Sequence, residues 1–442
     1  MTASPSPELD RRSSALLTDK YELTMLDAAI KDGTANRQVT FEVFARRLPG
    51  QRRYGVVAGT ARVLSTVRDF VFTDDQLAYL DFLSDDTIEY LRNYRFTGHI
   101  DGYCEGELYF PYSPILTLRG TFAECVVLET VILSIMNADS AIATAAARMV
   151  TAAEGRTIME MGSRRTHEYA AVTATRAAYL AGFSSTSNLE AAYRYNIPSA
   201  GTAAHAWTLA HTTHDGPHEA DAFKTQIDTL GIDTTLLVDT YDITAGVRTA
   251  IDVAGTKLGG IRIDSGDLGV LVRQVRNQLD ALGATNTKIV VSSDLDEYAI
   301  AALRSEPVDA YGVGTSLVTG SGYPTAEMVY KLVEVDGLPV SKRSRHKISH
   351  GGTKRAFRAV RESGTAVEEL ITRFDAEPPH VSDGLHLRPL TIALVRDGDI
   401  TGNLPSLDTC RTYLADSLIT LPWEGLALPA DEPAISTRFV GF

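Results

Sequence analysis

Between about residues 150 and 330 the chain repeats one rhythm: a short apolar run, a polar cluster, then a segment whose apolar residues recur at helical spacing. The runs fall at 157–161, 179–183, 198–201, 234–238, 260–263, 288–291 and 310–313, and 268–282 and 295–304 are typical of the helical segments between them. Strands separated in this way cannot pair as hairpins; each needs a helical crossover, which makes its neighbour parallel. The predicted class is therefore α/β. No glycine fingerprint of a dinucleotide switch point accompanies the first run, so an irregular (β/α) barrel of about seven parallel strands is favoured. An open doubly wound sheet shares the alternation.

The flanks read differently. Residues 14–118 combine a helical opening at 19–31 with strand-like alternation at 39–44 and 107–118, an α+β pattern. Beyond 330 the helical segments stop, 329–340 reads as a hairpin around Asp336-Gly337, and short strands and turns follow. The expected organisation is an N-terminal α+β domain at 1–118, a barrel at 119–330, and a segment at 331–442 that packs with the N-terminal domain. The 442 residues suffice for a barrel and a second domain. The apolar stretch 122–150 is interrupted by Glu124, Glu129, Asn137, Asp139 and Arg148, the pattern of a buried helix and not of a membrane span.

A net charge of −14 argues against nucleic acid or an anionic membrane as partner, because both demand a basic footprint. It leaves room for a phosphorylated substrate, which backbone N–H groups and a few arginines can hold locally. Three scattered cysteines, Cys104, Cys125 and Cys410, make neither a disulfide framework nor a zinc spacing, and they suit a reducing cytoplasm. The first dozen residues have no apolar core, so no secretory leader is expected.

In a barrel the active site gathers at the C-terminal strand ends. The clusters there are Gly162-Ser163-Arg164-Arg165, Ser184-Ser185-Thr186-Ser187-Asn188, Gly201-Thr202-Ala203-Ala204-His205, Asp239-Thr240-Tyr241-Asp242, Asp264-Ser265-Gly266-Asp267, Ser292-Ser293-Asp294 and Gly314-Thr315-Ser316. His205, among small residues, reads either as a nucleophile or acid/base or as a histidine that only hydrogen-bonds in a loop. The glycine-rich turn around Gly314 and Thr315 can cradle a phosphate or simply turn the chain. Alternation places Arg262 and Asp264 on one strand face, where the arginine can fork onto a ligand carboxylate and the aspartate can hold ribose hydroxyls or hydrated magnesium. Asp267 reads as a helix cap. Arg164 and Arg165 fit an anion site or ion pairs with Glu160 or Glu168. Tyr21 is ambiguous alone, and His167, His211, His214 and His218 show no metal-ligand spacing.

Taken together, Leu17-Thr18-Asp19-Lys20-Tyr21-Glu22-Leu23-Thr24-Met25, the Gly-Ser-Arg-Arg cluster, 201–207, 262–267 and 312–316 resemble nicotinate phosphoribosyltransferase, a type II phosphoribosyltransferase family of pyridine-nucleotide salvage, over 17–340. The resemblance implies an irregular α/β barrel with an α+β domain, and a homodimer with active sites shared at the subunit interface. The reaction it implies converts nicotinate, phosphoribosyl pyrophosphate, ATP and water to nicotinate mononucleotide, pyrophosphate, ADP and phosphate, with Mg2+ as cofactor and no metal ligands identified. It further implies that ATP phosphorylates His205, with Asp264 beside it in the catalytic set. Thr202 would contact nicotinate, Arg262 face its carboxylate, and Tyr21 stack on the pyridine from the partner subunit. Arg164, Gly314 and Thr315 would hold the remainder of the substrates. Met161 departs from the phenylalanine that related proteins often carry. Ser187 stands where nicotinamide phosphoribosyltransferase, the nearest competing reading, carries an aspartate; quinolinate phosphoribosyltransferase and a catalytically silent nucleotide-binding barrel compete less well.

Overall fold

The computed structural model describes residues 13–342, 350–402 and 404–442. The chain divides into two compact units, residues 141–324 and residues 1–140 with 325–442. The first is built on six parallel strands: β1 (Thr157–Glu160), β2 (Ser185–Thr186), β3 (Thr235–Leu237), β4 (Gly260–Ile263), β5 (Lys288–Ser292) and β6 (Ala310–Val313). They pair in the order β3-β4-β5-β6-β1-β2. Each is followed by a helix, such as Glu168–Ala181 after β1, Ile243–Ala254 after β3 and Leu268–Ala281 after β4. The period of two sorts the side chains: Ile158, Leu236, Ile261, Ile263, Ile289 and Val291 are buried on one face, while Met159, Thr235, Arg262 and Val290 line a cavity on the other.

Two of the seven expected strands differ. Residues 179–181 end the helix Glu168–Ala181, since the alanine-rich run keeps helical periodicity until Gly182 stops it at φ 121°; the strand follows at Ser185–Thr186. Residues 198–201 reduce to a single parallel bridge between Ser199 and Thr186, preceded by Pro198, which has no N–H to give a ladder. Among the described residues no ladder joins Ser199 to β3, so the sheet is a curled half-barrel with one unpaired side.

The other unit carries an antiparallel seven-stranded sheet in the order Leu338–Pro339, Met328–Val335, Gln38–Ala45, Leu116–Thr121, His99–Gly102, Ile392–Arg396, Asp399–Ile400, so strands from both ends of the sequence form one layer. The expected hairpin turns at Asp336 and Gly337, both at positive φ (47° and 76°) as a type I′ turn requires. The expected 107–118 strand is two strands, Leu108–Tyr109 and Leu116–Thr121, interrupted where Tyr112 adopts φ 69°. A four-stranded sheet (Leu385–Pro389, Lys354–Arg361, Ala366–Arg373, Ser436–Val440) and the helix Leu407–Ile419, absent from the sequence expectation, complete this unit. The helix Glu129–Ala153 is long and apolar enough to cross a membrane by length and composition, but 72% of its most apolar window is buried inside the protein.

Candidate active site

A cavity of about 670 Å³ occupies the concave face of the half-barrel. Ser163 and Arg164 after β1, Ser187 after β2, Thr202 after the Ser199 bridge, and Arg262 on β4 all line it, with Met159 and Met161 beneath. Two guanidinium groups, five hydroxyl residues (Thr234 and Thr235 among them) and the single carboxylate of Asp233 line it, a set suited to an anion with a flat apolar body. Neither Arg164 nor Arg165 pairs with Glu160 or Glu168; Arg164 is left exposed at the cavity wall.

Arg262 and Asp264 do share a face. The Arg262 Nη2 donates to Asp264 Oδ1 at 2.9 Å and Nε donates to Ser292 Oγ at 2.7 Å, while the Ser292 hydroxyl donates to the same Asp264 oxygen. Burial pushes the Asp264 carboxyl up, but the Ser292 hydrogen bond, Arg262 and the neighbouring His205 outweigh it and hold the group below the usual aspartate range. His205 opens the short helix His205–Leu209 and is not at a strand end. Its Nδ1 lies 3.1 Å from Thr240 Oγ1, and its Nε2 is 3.9 Å from both Asp239 Oδ1 and Asp264 Oδ2. Asp239 follows β3 with its side chain 1% exposed. Its Oδ2 accepts from the Asp264 N–H at 2.9 Å and the Ser265 hydroxyl at 2.7 Å, and its buried Oδ1 has no hydrogen-bond partner among the described residues. Asp267 caps the next helix through the Val270 N–H.

Thr315 starts the four-residue helix Thr315–Val318 after β6, with Gly314 before it. The glycines here serve close backbone approach: a Cβ on Gly312 would stand 2.7 Å from Met161 Sδ, and one on Gly162 would stand 3.0 Å from the Gly314 carbonyl oxygen. Tyr21 belongs to the other unit, in the first turn of the helix Lys20–Asp32. Partial burial, then Glu129, to which its hydroxyl is hydrogen-bonded, and Glu22 push it up to about 12. The buried Glu22 anchors that turn by accepting from the Thr130 N–H at 3.0 Å and from the Thr18 hydroxyl.

Residues 16–137 match the nicotinate phosphoribosyltransferase N-terminal domain, and residues 156–375 match the nicotinate phosphoribosyltransferase family. The chain belongs to that family. It is 61% identical to nicotinate phosphoribosyltransferase pncB1 of Mycobacterium tuberculosis over 97% of this chain and 95% of that one, and 39% identical to the Bacillus subtilis nicotinate phosphoribosyltransferase over 93% and 90%. The crystal structure of human nicotinic acid phosphoribosyltransferase superposes with TM-score 0.80 at 25% identity, covering 96% of this chain and 98% of that one.

Within this nicotinate phosphoribosyltransferase family member, sequence reasoning singled out His205, Arg262 and Asp264 but assigned no part to Asp239, Thr240 or Ser292, which touch or face them. The signal was present. All three stand at the C-terminal ends of strands, where the barrel rule already directed attention.

Proposed function

We propose that this chain transfers the phosphoribosyl group of phosphoribosyl pyrophosphate to the ring nitrogen of nicotinate, releasing pyrophosphate in a step of NAD salvage that ATP drives through a phosphorylated His205. Family membership carries the transfer reaction. The observation that carries the ATP step is His205, with Nδ1 beside Thr240 and Nε2 facing two carboxylates, one of which, Asp264, holds the cavity-lining Arg262.

In the transfer, the anomeric C–O bond to pyrophosphate breaks as the C–N bond to the pyridine forms, and positive charge develops on the sugar between them. The protein contributes position and charge. Arg262, with Nη1 uncommitted among the described residues, takes the nicotinate carboxylate, and Asp264 and Ser292 hold the guanidinium in place. Thr202 and Ser187 face the ring; a serine at 187 repels no carboxylate, whereas an aspartate there would. Arg164, Gly314 and Thr315 serve the phosphoribosyl end. In the ATP step the γ-phosphoryl passes to the His205 imidazole and ADP departs; water later cleaves the N–P bond and releases phosphate. Asp239 and Asp264 steady the ring and its charge.

Among the described residues no group of three or more His, Cys, Asp or Glu side chains is arranged to hold a metal ion. The unpartnered oxygen of Asp239, beside Asp264, fits an ion that arrives with the phosphates of a substrate, where it would neutralise the leaving pyrophosphate. A homodimer completes the site: Leu17, Tyr21 and Met25 recur at four-residue spacing and expose 55%, 45% and 39% of their surfaces, an apolar stripe that a second copy would cover.

Turnover of labelled nicotinate, nicotinamide and quinolinate, each with and without ATP, tests this reading. Strong preference for nicotinate with stimulation by ATP is expected. Comparable efficiency on nicotinamide, or indifference to ATP, would overturn the corresponding part.

A further inference from the structure

Between the cavity-lining residues Met159 and Met161 stands a buried carboxyl side chain to which the mechanism gives no part. Glu160 ends β1 with 1% of its surface exposed, and no Lys, Arg or His pairs with it among the described residues. Burying an ion costs several kcal/mol, and hydrophobic replacements of buried charges are often neutral or stabilising, so such a group is poorly explained by stability alone.

Its hydrogen bonds tie together two separate cavity walls. Oε1 accepts from the N–H of Gly162, in the turn that carries Ser163 and Arg164. Oε2 accepts from the hydroxyl of Thr186, the residue before Ser187. Thr186 Oγ1 in turn accepts from the Asn188 N–H at 2.9 Å, and Asn188 Nδ2 donates to Ser163 Oγ at 3.0 Å. The circuit closes from Glu160 through 162–163, Asn188 and Thr186 back to Glu160. A backbone bond from the Ser187 N–H to the Glu160 carbonyl at 2.9 Å crosses it.

The Gly162 N–H in this circuit cannot reverse, and the Thr186 hydroxyl, which accepts from the Asn188 N–H, makes its short contact with Glu160 Oε2, with Thr175 Oγ1 farther off at 3.5 Å. A carboxylate accepts from both at once. A glutamine of the same shape would set its NH2 against the Gly162 N–H or turn the Thr186 proton away from this contact.

We infer that Glu160 is a positioning residue for nicotinate recognition: an acceptor-only carboxylate that clamps the Ser163–Arg164 turn against Ser187 and so sets the width of the cavity where the pyridine enters. The inference rests on the reading of this cavity as the nicotinate site. It makes substrate discrimination depend on a side chain the substrate never touches.

Glu160→Gln and the isosteric Thr186→Val test it, with Thr186→Ser as the rescue that keeps the hydroxyl. KM for nicotinate is expected to rise about tenfold or more in the first two and the preference over nicotinamide to narrow. The labelling of His205 by ATP should stay as in the parent, and Thr186→Ser should keep the parental nicotinate KM and the parental preference over nicotinamide. An unchanged nicotinate KM in both Glu160→Gln and Thr186→Val overturns the inference. So does an activity loss that merely tracks a lower melting temperature and leaves the preference for nicotinate over nicotinamide unchanged. A parent chain that fails to use nicotinate overturns instead the functional reading beneath it.

Discussion

Arg262 commits two of its three guanidinium nitrogens to Ser292 and Asp264, at 2.7 and 2.9 Å, so its orientation is set before any ligand arrives. Removing one member of a desolvated charge pair costs about 2–5 kcal/mol, and Arg262→Ala should therefore lose about thirty-fold to several thousand-fold in kcat/KM for nicotinate, which steady-state kinetics with saturating cosubstrate will read. Unchanged nicotinate binding would reassign the residue. The same reasoning separates two changes at Ser187: Ser187→Asp sets like charges against each other and should depress nicotinate use, whereas Ser187→Ala should do far less. His205 makes a different kind of prediction. Incubation with ATP and magnesium should leave an acid-labile phosphoryl label that His205→Ala abolishes together with ATP stimulation, while some transfer activity survives because the proposed bond-forming step does not use His205.

Among the secondary-structure elements, the unit outside the half-barrel is stitched by buried charge. Arg358, on Lys354–Arg361, is fully buried between Glu107 at 2.6 Å and Glu369 at 2.8 Å; Arg388, on Leu385–Pro389, reaches Glu107 at 2.6 Å, and Tyr413, on Leu407–Ile419, donates to the same carboxylate. Three elements from the last quarter of the chain thus meet at Glu107. Burial pushes its carboxyl up, but Arg358, Arg388 and Tyr413 prevail and bring it down to about 2 from an ordinary 4.5. A depressed carboxylate stabilises the fold above its unfolded value and loses that contribution as pH falls from about 4.5 toward 2, an effect on the order of 3 kcal/mol. Calorimetric melting across that range should show the parent losing stability more steeply than Glu107→Gln. The variant should already be weaker at neutral pH, by about 3–5 kcal/mol, because Arg358 and Arg388 keep their charge with no carboxylate between them.

For the whole molecule, Tyr21 decides whether activity requires association. If one subunit's Tyr21 completes the other's cavity, mixing inactive Tyr21→Ala chains with inactive His205→Ala-Asp264→Ala chains should restore about a quarter of parental activity, since random exchange makes half the molecules mixed dimers with one intact site each. No recovery despite demonstrated exchange of subunits would show that each chain builds its own site. Loss of the ring should also cost about 0.5–1.5 kcal/mol of stacking beyond its burial.

The sequence alone determined what depends on local pattern. Apolar runs at 260–263 and 310–313 coincide with β4 and β6, the helix expected at 19–31 forms at Lys20–Asp32, and the Asp336-Gly337 turn forms because that dipeptide accepts positive φ. Arg262 and Asp264 meet because residues two apart on a strand share a face. What escaped it depends on pairing between distant segments. Residues 179–183 carry an apolar run that suits helix and strand alike, and only the Gly182 turn and the pairing of Met159 with Ser185 fix where the helix stops and the strand begins. The unpaired side of the half-barrel could not be read from strands whose individual signals look the same whether or not the ring closes. Nor could the parts played by Asp239 and Glu160, since a carboxylate at a strand end becomes a neighbour of His205, or a clamp between two turns, only when the sheet brings β1, β2, β3 and β4 into one curve.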